Sequence, residues 1–316
     1  MSKKSMAARR QLRETEAGGR TLRDPNRSRT KGRGGRHREQ DRPWGLIGGA
    51  VAVVAAFIVV IILVEQLGGL HQDASVTPAP ASLVSALTSV PRSHLEEVKG
   101  GSINNPPIKI PASYKPTLFT ANGLPQVVFV GGEYCPLCAL ERWSLVVGLS
   151  HFGKFSNLKQ IRSSVYDSPA NLPTFTFAHG VSYQSSYISF LPREHQSNVS
   201  IGGNGPPYAI FQSLPPKVLD AFTTLGGGAY PFLDYGGRYA SVGSEAADSD
   251  VAALSGLSWD QVLSQLRNPK STIAQEILGG ANYITATTCL LTSNRPGSAC
   301  GSSMIRGLES QISSSQ

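Results

Sequence analysis

The first 43 residues contain almost no large apolar side chains, so this stretch has nothing with which to build a core. It reads "MSKKSMAARRQLRETEAGGRTLRDPNRSRTKGRGGRHREQDRP", rich in Arg, Gly and Ser, and is expected to be a disordered arm. The next 21 residues, "WGLIGGAVAVVAAFIVVIILV" from Trp44 to Val64, lack charge altogether. The chain also lacks a phosphate-binding loop, a Ser/His/Asp arrangement and a paired-carboxylate pattern, which leaves hydrolase and nucleotide readings without support. No internal repeat is visible. Cysteine is scarce: there are four in 316 residues, the first at position 135.

Charge is distributed just as unevenly. Of the 29 basic residues, 14 lie in the first 43 positions, against 5 acidic ones, while the remaining 273 residues hold 15 basic and 16 acidic side chains. The net charge of +8 therefore belongs to the arm. An Arg/Gly arm could neutralise nucleic-acid phosphates, but its place before an uncharged span favours another role. Twenty-one apolar residues at about 1.5 Å rise match a bilayer core of roughly 30 Å. The charged start is too long, and the apolar run too long, for a cleaved signal peptide. Residues 44–64 are thus expected to be a single uncleaved transmembrane helix. Basic residues before the span, with Glu65 and Asp73 after it, place the arm in the cytoplasm and the rest outside it. The bilayer, with its anionic headgroups, is the expected partner of the arm, and nucleic acid is the weaker alternative.

After the span, residues 65–94 read as a linker, with "VSALTSVPRSHLEEV" able to add a short helix. Residues 95–310 read as one exported α/β domain with an open sheet. Within it, "QVVFV" predicts a buried strand at 126–131, followed by a helix from Cys135 or Pro136 to about His151. Strands are expected at 158–166 and 174–179, and extended chain through "SSYISFLPREH". "LPPKVLDAFTTL" predicts a short helix, and "AYPFLDYGGRYASVG" two strands around a Gly-Gly turn. "LSWDQVLSQL" and "STIAQEILGGANYITATTCLL" predict closing helices.

All four cysteines fall on the exported side, where an even count points toward two disulfides, Cys135–Cys138 and Cys289–Cys300 by local spacing. A four-cysteine zinc site is the rival, but the second pair has ten intervening residues where zinc knuckles have two to four. The first pair has a physical reason to be reactive. Cys135 sits at a helix start, where unpaired N–H groups and the helix dipole favour a thiolate. Pro136 suits the first turn. Cys138, one turn further in, can resolve a mixed disulfide formed by Cys135. Cys289–Cys300 reads as a structural clamp closing about ten residues, stabilising by roughly 2–3 kcal/mol, with a second redox pair as the alternative.

A second element belongs beside the pair: "AYPFLDYGGRY", in which Tyr230-Pro231 precedes a strand, a Gly turn and a return strand. Pro207, in "GPPYAIF", competes for the same role. The C-P-x-C helix start, the Tyr-Pro-Phe hairpin and the terminal "ANYITATTCLLTSNRPGSAC" resemble the thioredoxin-like family catalogued as domain of unknown function 929, over roughly residues 95–308. The resemblance implies a thioredoxin-like fold with an insertion of about 60 residues after the active-site helix, and a redox pair whose cis-proline loop lies against the sulfurs. It departs from the W-C-G-P-C motif of thioredoxin, with Tyr134 before the first cysteine and Leu137 inside the pair. The expected catalytic residues are Cys135, Cys138 and Pro231, with Tyr230 and Tyr134 binding substrate. The expected partners are exported protein thiols or disulfides and a separate redox partner. The cysteines carry the electrons, so no dissociable cofactor and no metal is required.

Other residues have blander readings. Glu133 could tune the thiol or be a solvated loop residue. Glu141 and Arg142 are expected on an exposed helix face, Trp143 in the core, and His151 at a helix end favoured by the dipole. Asn198 opens an N-x-S sequon.

Overall fold

The computed structural model describes residues 75–114, 117–244 and 248–314. The expected arm (1–43) and transmembrane helix (44–64) lie outside the described residues. Among those described, no helix is long and apolar enough to cross a membrane.

The stretch expected as the end of a linker is structured. A two-residue strand, β1 (Thr77–Pro78), is followed by α1 (Ala81–Thr88) and α2 (Arg92–Val98). Leu83, Leu87, Leu95 and Val98 on these helices are buried in the main core, so the packed region begins before residue 95. Asn282 explains part of the docking: its amide donates to the carbonyls of Leu95 (2.9 Å) and Lys99 (2.7 Å), capping the end of α2.

The chain then runs through β2 (Ile108–Lys109), β3 (Thr120–Ala121) and β4 (Leu124–Gly132) into α3 (Pro136–Ser150). Next come β5 (Gly153–Ser156), β6 (Lys159–Arg162), β7 (Pro173–Thr176), β8 (Ser182–Ser185), β9 (Ser189–Ser200) and β10 (Tyr208–Ile210). After α4 (Pro216–Thr224) come β11 (Phe232–Tyr235), β12 (Tyr239–Val242), α5 (Asp248–Val251) and α6 (Trp259–Leu266). The described chain closes with α7 (Thr272–Leu291), α8 (Gly297–Cys300) and α9 (Ser303–Ser314).

The main sheet has the order β10-β9-β4-β11-β12-β2, with β3 paired to the start of β4. β4 and β9 are parallel, and the remaining pairs are antiparallel. Strand β4 is central, and alternation divides its side chains between two cores. Val127 and Phe129 pack with α3 and α7, whereas Val128 and Val130 pack with α4. Leu233 and Tyr235 of β11 join the first core and Phe232 the second. Helices cover both faces, which is why "VVFV" (127–130) is an unbroken apolar run.

β9 is the strand that the sequence conceals. "SFLPREHQSNVS" does not alternate cleanly, and only its part up to His195 is expected even as extended chain, yet it supplies the parallel neighbour of β4. The segment between α3 and β9 forms two small sheets, β5-β8 by itself and β6-β7 with β1 added at its edge. Trp143 and Trp259 fix β7 by donating their indole N–H groups to the carbonyls of Pro173 (2.9 Å) and Thr174 (2.8 Å).

The expected helix starts and turns have visible causes. Ser258 and Gln261 form a reciprocal capping box on α6. The β11–β12 turn uses Gly236 and Gly237 at φ of 68° and 69°, where a side chain would be strained.

Candidate dithiol site

The site is built at the C-terminal end of β4. Cys135 is the N-cap of α3, and its sulfur accepts the N–H of Cys138 at 3.2 Å. Pro136 stands in the first turn, where its missing N–H leaves no bond unmade. Both cysteines carry free thiols, rather than the Cys135–Cys138 bridge that local spacing suggested. Cys135 is 6% exposed and Cys138 fully buried.

The two thiols are electrostatically unequal. Burial works to raise the pKa of Cys135, but hydrogen bonds from the Cys138 thiol and N–H, the charge of Arg142 and the Leu137 N–H together hold it below the ordinary cysteine range. Burial, followed by the hydrogen bond and charge of Cys135, pushes Cys138 well above it. This is the asymmetry that an attacking and a resolving cysteine require.

Tyrosines flank the pair. Tyr134 stacks on Tyr208, with ring centroids 4.1 Å apart and planes 8° from parallel, and meets the ring of Tyr230 edge-on at 6.3 Å. Tyr134 and Tyr230 both have raised pKa values, from burial first and then from the cysteine sulfurs. Tyr230-Pro231 and Pro206-Pro207 are both cis. Phe232, next after Pro231, is in register with Val130 of β4, which sets Pro231 beside the Gly131-Gly132 strand end. Pro207 leads into Tyr208, which reaches Tyr134 by stacking. The two X-Pro-aromatic segments thus converge on the same tyrosine from opposite sides of β4.

Beneath the sulfurs lies a cluster of buried charge that the sequence did not disclose. Arg142, expected on an exposed face, is fully buried, and Glu141 is buried beside it. The correction follows from β9. Arg142 donates to both oxygens of the fully buried Glu194, Nε to Oε1 at 3.0 Å and Nη2 to Oε2 at 2.6 Å, and Nη2 also donates to the Gly132 carbonyl at 2.7 Å. Glu194 in turn accepts the N–H of Phe177. Burial opposes the charge on Arg142, but Glu194 outweighs it and raises the pKa. Glu133 is likewise buried rather than solvated. Its Oε1 accepts the Thr176 hydroxyl at 2.7 Å and lies 3.3 Å from Nε2 of His179, which is 37% exposed. Burial and then Glu194 raise the pKa of Glu133.

One signal in the sequence could have found Arg142. Positions 138 and 142 are one turn apart on the same helix face, so a cysteine turned inward at 138 points Arg142 toward the core as well. Glu194, 52 residues away on an irregular strand, gave no such signal.

Cys289 and Cys300 form a disulfide joining α7 to α8. Trp143 is in the core. His151 caps α3, but burial, with Arg92 nearby, lowers its pKa to about 4, so it is neutral near pH 7 and the dipole does not explain its place. Its Nδ1 lies 3.0 Å from the Thr285 hydroxyl. The Asn198 amide is buried and donates to the Arg162 carbonyl at 3.2 Å, which removes it from use as a glycan acceptor in the folded chain.

No curated protein and no solved structure matches the chain. The segment from Pro111 to Pro206 covers β4, the dithiol, the buried charges and β9. Over these residues, 111–206, the chain matches the model of the family described as "Domain of unknown function (DUF929)", the family its motifs resemble.

Proposed function

We propose that this protein is a membrane-anchored, extracytoplasmic thiol–disulfide oxidoreductase on a thioredoxin-like scaffold, acting through the Cys135-Pro-Leu-Cys138 pair. The observation that carries the reading is the inequality of the two thiols, with Cys135 lowered at a helix N-terminus and Cys138 raised and buried behind it. The strand order supports the scaffold. A parallel β4–α3–β9 unit sits beside an antiparallel β11–β12 hairpin, with the dithiol after β4, a cis-proline before β11 and α7 packed on α3. In such a site Cys135 exchanges with a substrate sulfur, Cys138 resolves, and the Tyr134, Tyr208 and Tyr230 rings hold the substrate chain. The uncharged span at 44–64 and the basic arm before it support the anchor and the orientation.

A second reading has one observation in its favour. Cys135 is only 6% exposed, which suits a non-catalytic binding or envelope-structure domain.

Full-length protein carrying Cys138→Ala, expressed in its host, decides between them. The enzyme reading expects mixed disulfides through Cys135 with exported proteins, and rapid alkylation of Cys135 in the reduced wild type. A wild-type pair with a potential below about −300 mV and no alkylation at neutral pH would mark an inert bridge.

A further inference from the structure

We propose that Arg142 sets the direction of electron flow at this site: its buried guanidinium holds the reduced pair as a Cys135 thiolate, so that the Cys135–Cys138 disulfide is an oxidant of substrate dithiols. This deepens the thiol–disulfide reading and rests on it.

The geometry is specific. The Gly132 carbonyl accepts both the Cys135 N–H (3.1 Å) and Nη2 of Arg142 (2.7 Å), so guanidinium and nucleophile are tied to one oxygen. Arg142 follows Cys138 by one helical turn on the same face. Glu194 grips Nε and Nη2, fixing the fork, while Nη1 has no hydrogen-bond partner among the described residues. A buried donor left unpaired needs an explanation. Part of it is the Phe129 ring, whose centroid lies 5.7 Å from the guanidinium carbon, and the charge of Arg142 acts on both sulfurs.

The charged and titratable groups around the guanidinium bear on its field unequally. Glu194 is engaged by the arginine and by the Phe177 N–H. Burial and then Glu194 raise the pKa of Glu133, while the Thr176 hydroxyl, Arg142 and His179 work the other way. Tyr134 and Tyr230 are held as neutral phenols. His179 lies against Glu133.

Anything that stabilises the thiolate of the reduced pair makes the disulfide a stronger oxidant. A substrate thiolate attacks the Cys135 sulfur; the Cys135–Cys138 bond breaks as the mixed disulfide forms. Cys138 leaves and, with its raised pKa, takes up a proton. A second substrate thiolate then attacks the substrate sulfur of the mixed disulfide, and Cys135 leaves as the thiolate that Arg142 stabilises. Two electrons pass from the substrate dithiol to the pair, and the substrate gains a disulfide. An external disulfide resets the pair by the same exchange in reverse.

The test uses the full chain, with thermal unfolding as the check on folding. Arg142→Met alone would leave Glu194 buried without a partner, so the informative variant is Arg142→Met with Glu194→Leu, beside Arg142→Lys. Two quantities are read: the pH midpoint of Cys135 alkylation, and the equilibrium of the pair with reduced and oxidised glutathione. The double variant is expected to raise the midpoint by about one pH unit or more and to shift the equilibrium about tenfold toward the disulfide. Arg142→Lys, a point charge without the fork, should fall between it and wild type. A folded double variant with unchanged midpoint and equilibrium overturns the proposal. If neither variant folds, the wild type decides, since a Cys135 midpoint at or above about 8.5 overturns it as well. Failure of the underlying reading looks different: the wild-type pair would not exchange with glutathione at all.

Discussion

Position along one helix turns two chemically identical cysteines into different groups. Cys135, as N-cap, collects the N–H of Cys138, whereas Cys138 enters the helix body and loses contact with water. Burial acts on isolated side chains elsewhere as well. Asp234 on β11 is 1% exposed, and although its Oδ1 accepts the Gly237 N–H, burial raises its pKa to about 7. A raised carboxyl pKa means that the folded state binds the proton more tightly than the unfolded chain. Its stabilising contribution is therefore complete below about pH 4 and is lost as pH rises toward 7. His151 has the opposite sign: its pKa, lowered to about 4, costs stability as pH falls from 6.5 toward 4. Comparing Asp234→Asn with wild type isolates the first effect, because Asn keeps the acceptor for Gly237. The variant's stability relative to wild type should improve by up to about 4 kcal/mol between pH 4 and 7 in urea titrations. A difference that does not change with pH would contradict this account.

At the level of elements, α3 is positioned by close backbone approach as much as by apolar side chains. A Cβ at Gly148 would lie 2.9 Å from the Ala281 carbonyl and 2.9 Å from Cγ2 of Ile284, so α3 and α7 touch where α3 has no side chain. Gly148→Val forces the helices apart at the end remote from the dithiol. Overpacking of this kind costs about 1–3 kcal/mol, more than the few tenths that Val gains over Gly in a helix. The expected result is a lower denaturation midpoint; a variant as stable as wild type would show that α7 can shift freely. Helix α7 is buried on nearly all sides, which explains how a 20-residue helix with Gly279-Gly280 and several threonines belongs to a core and not to a bilayer. Its threonines at 285 and 287 satisfy their hydroxyls on carbonyls four residues back.

For the molecule as a whole, Cys289–Cys300 ties the end of α7 to the short α8 that precedes α9, with both sulfurs buried. Replacing both with Ala should cost about 2–3 kcal/mol and lower Tm by roughly 5–10 °C in calorimetry. Exchange of the Cys135–Cys138 pair with glutathione should stay unchanged. A loss of exchange in the still-folded variant would mean that the second pair passes electrons to the first. The parts of the fold legible in the sequence were those with local causes: the apolar run of β4, the helix that starts at Pro136, the Gly-Gly hairpin and the capped C-terminal helices. The illegible parts were long-range. β9 shows no clean alternation because its register with β4 slips between Glu194 and Gln196 and both of its faces are partly covered. Arg142 looked like surface until Glu194, on that same strand, came to meet it.

The sequence by itself determined where the Cys-x-x-Cys pair lies, which cysteine caps the helix, and which two cysteines clamp the C-terminus, because each depends on spacing within a few turns of chain. Only the tertiary structure decided that Glu133 and Arg142 are buried, that Tyr208 joins Tyr134 and Tyr230, and that Asn198 faces inward. Each of these is fixed by a partner 30 or more residues away, which spacing along the chain does not name.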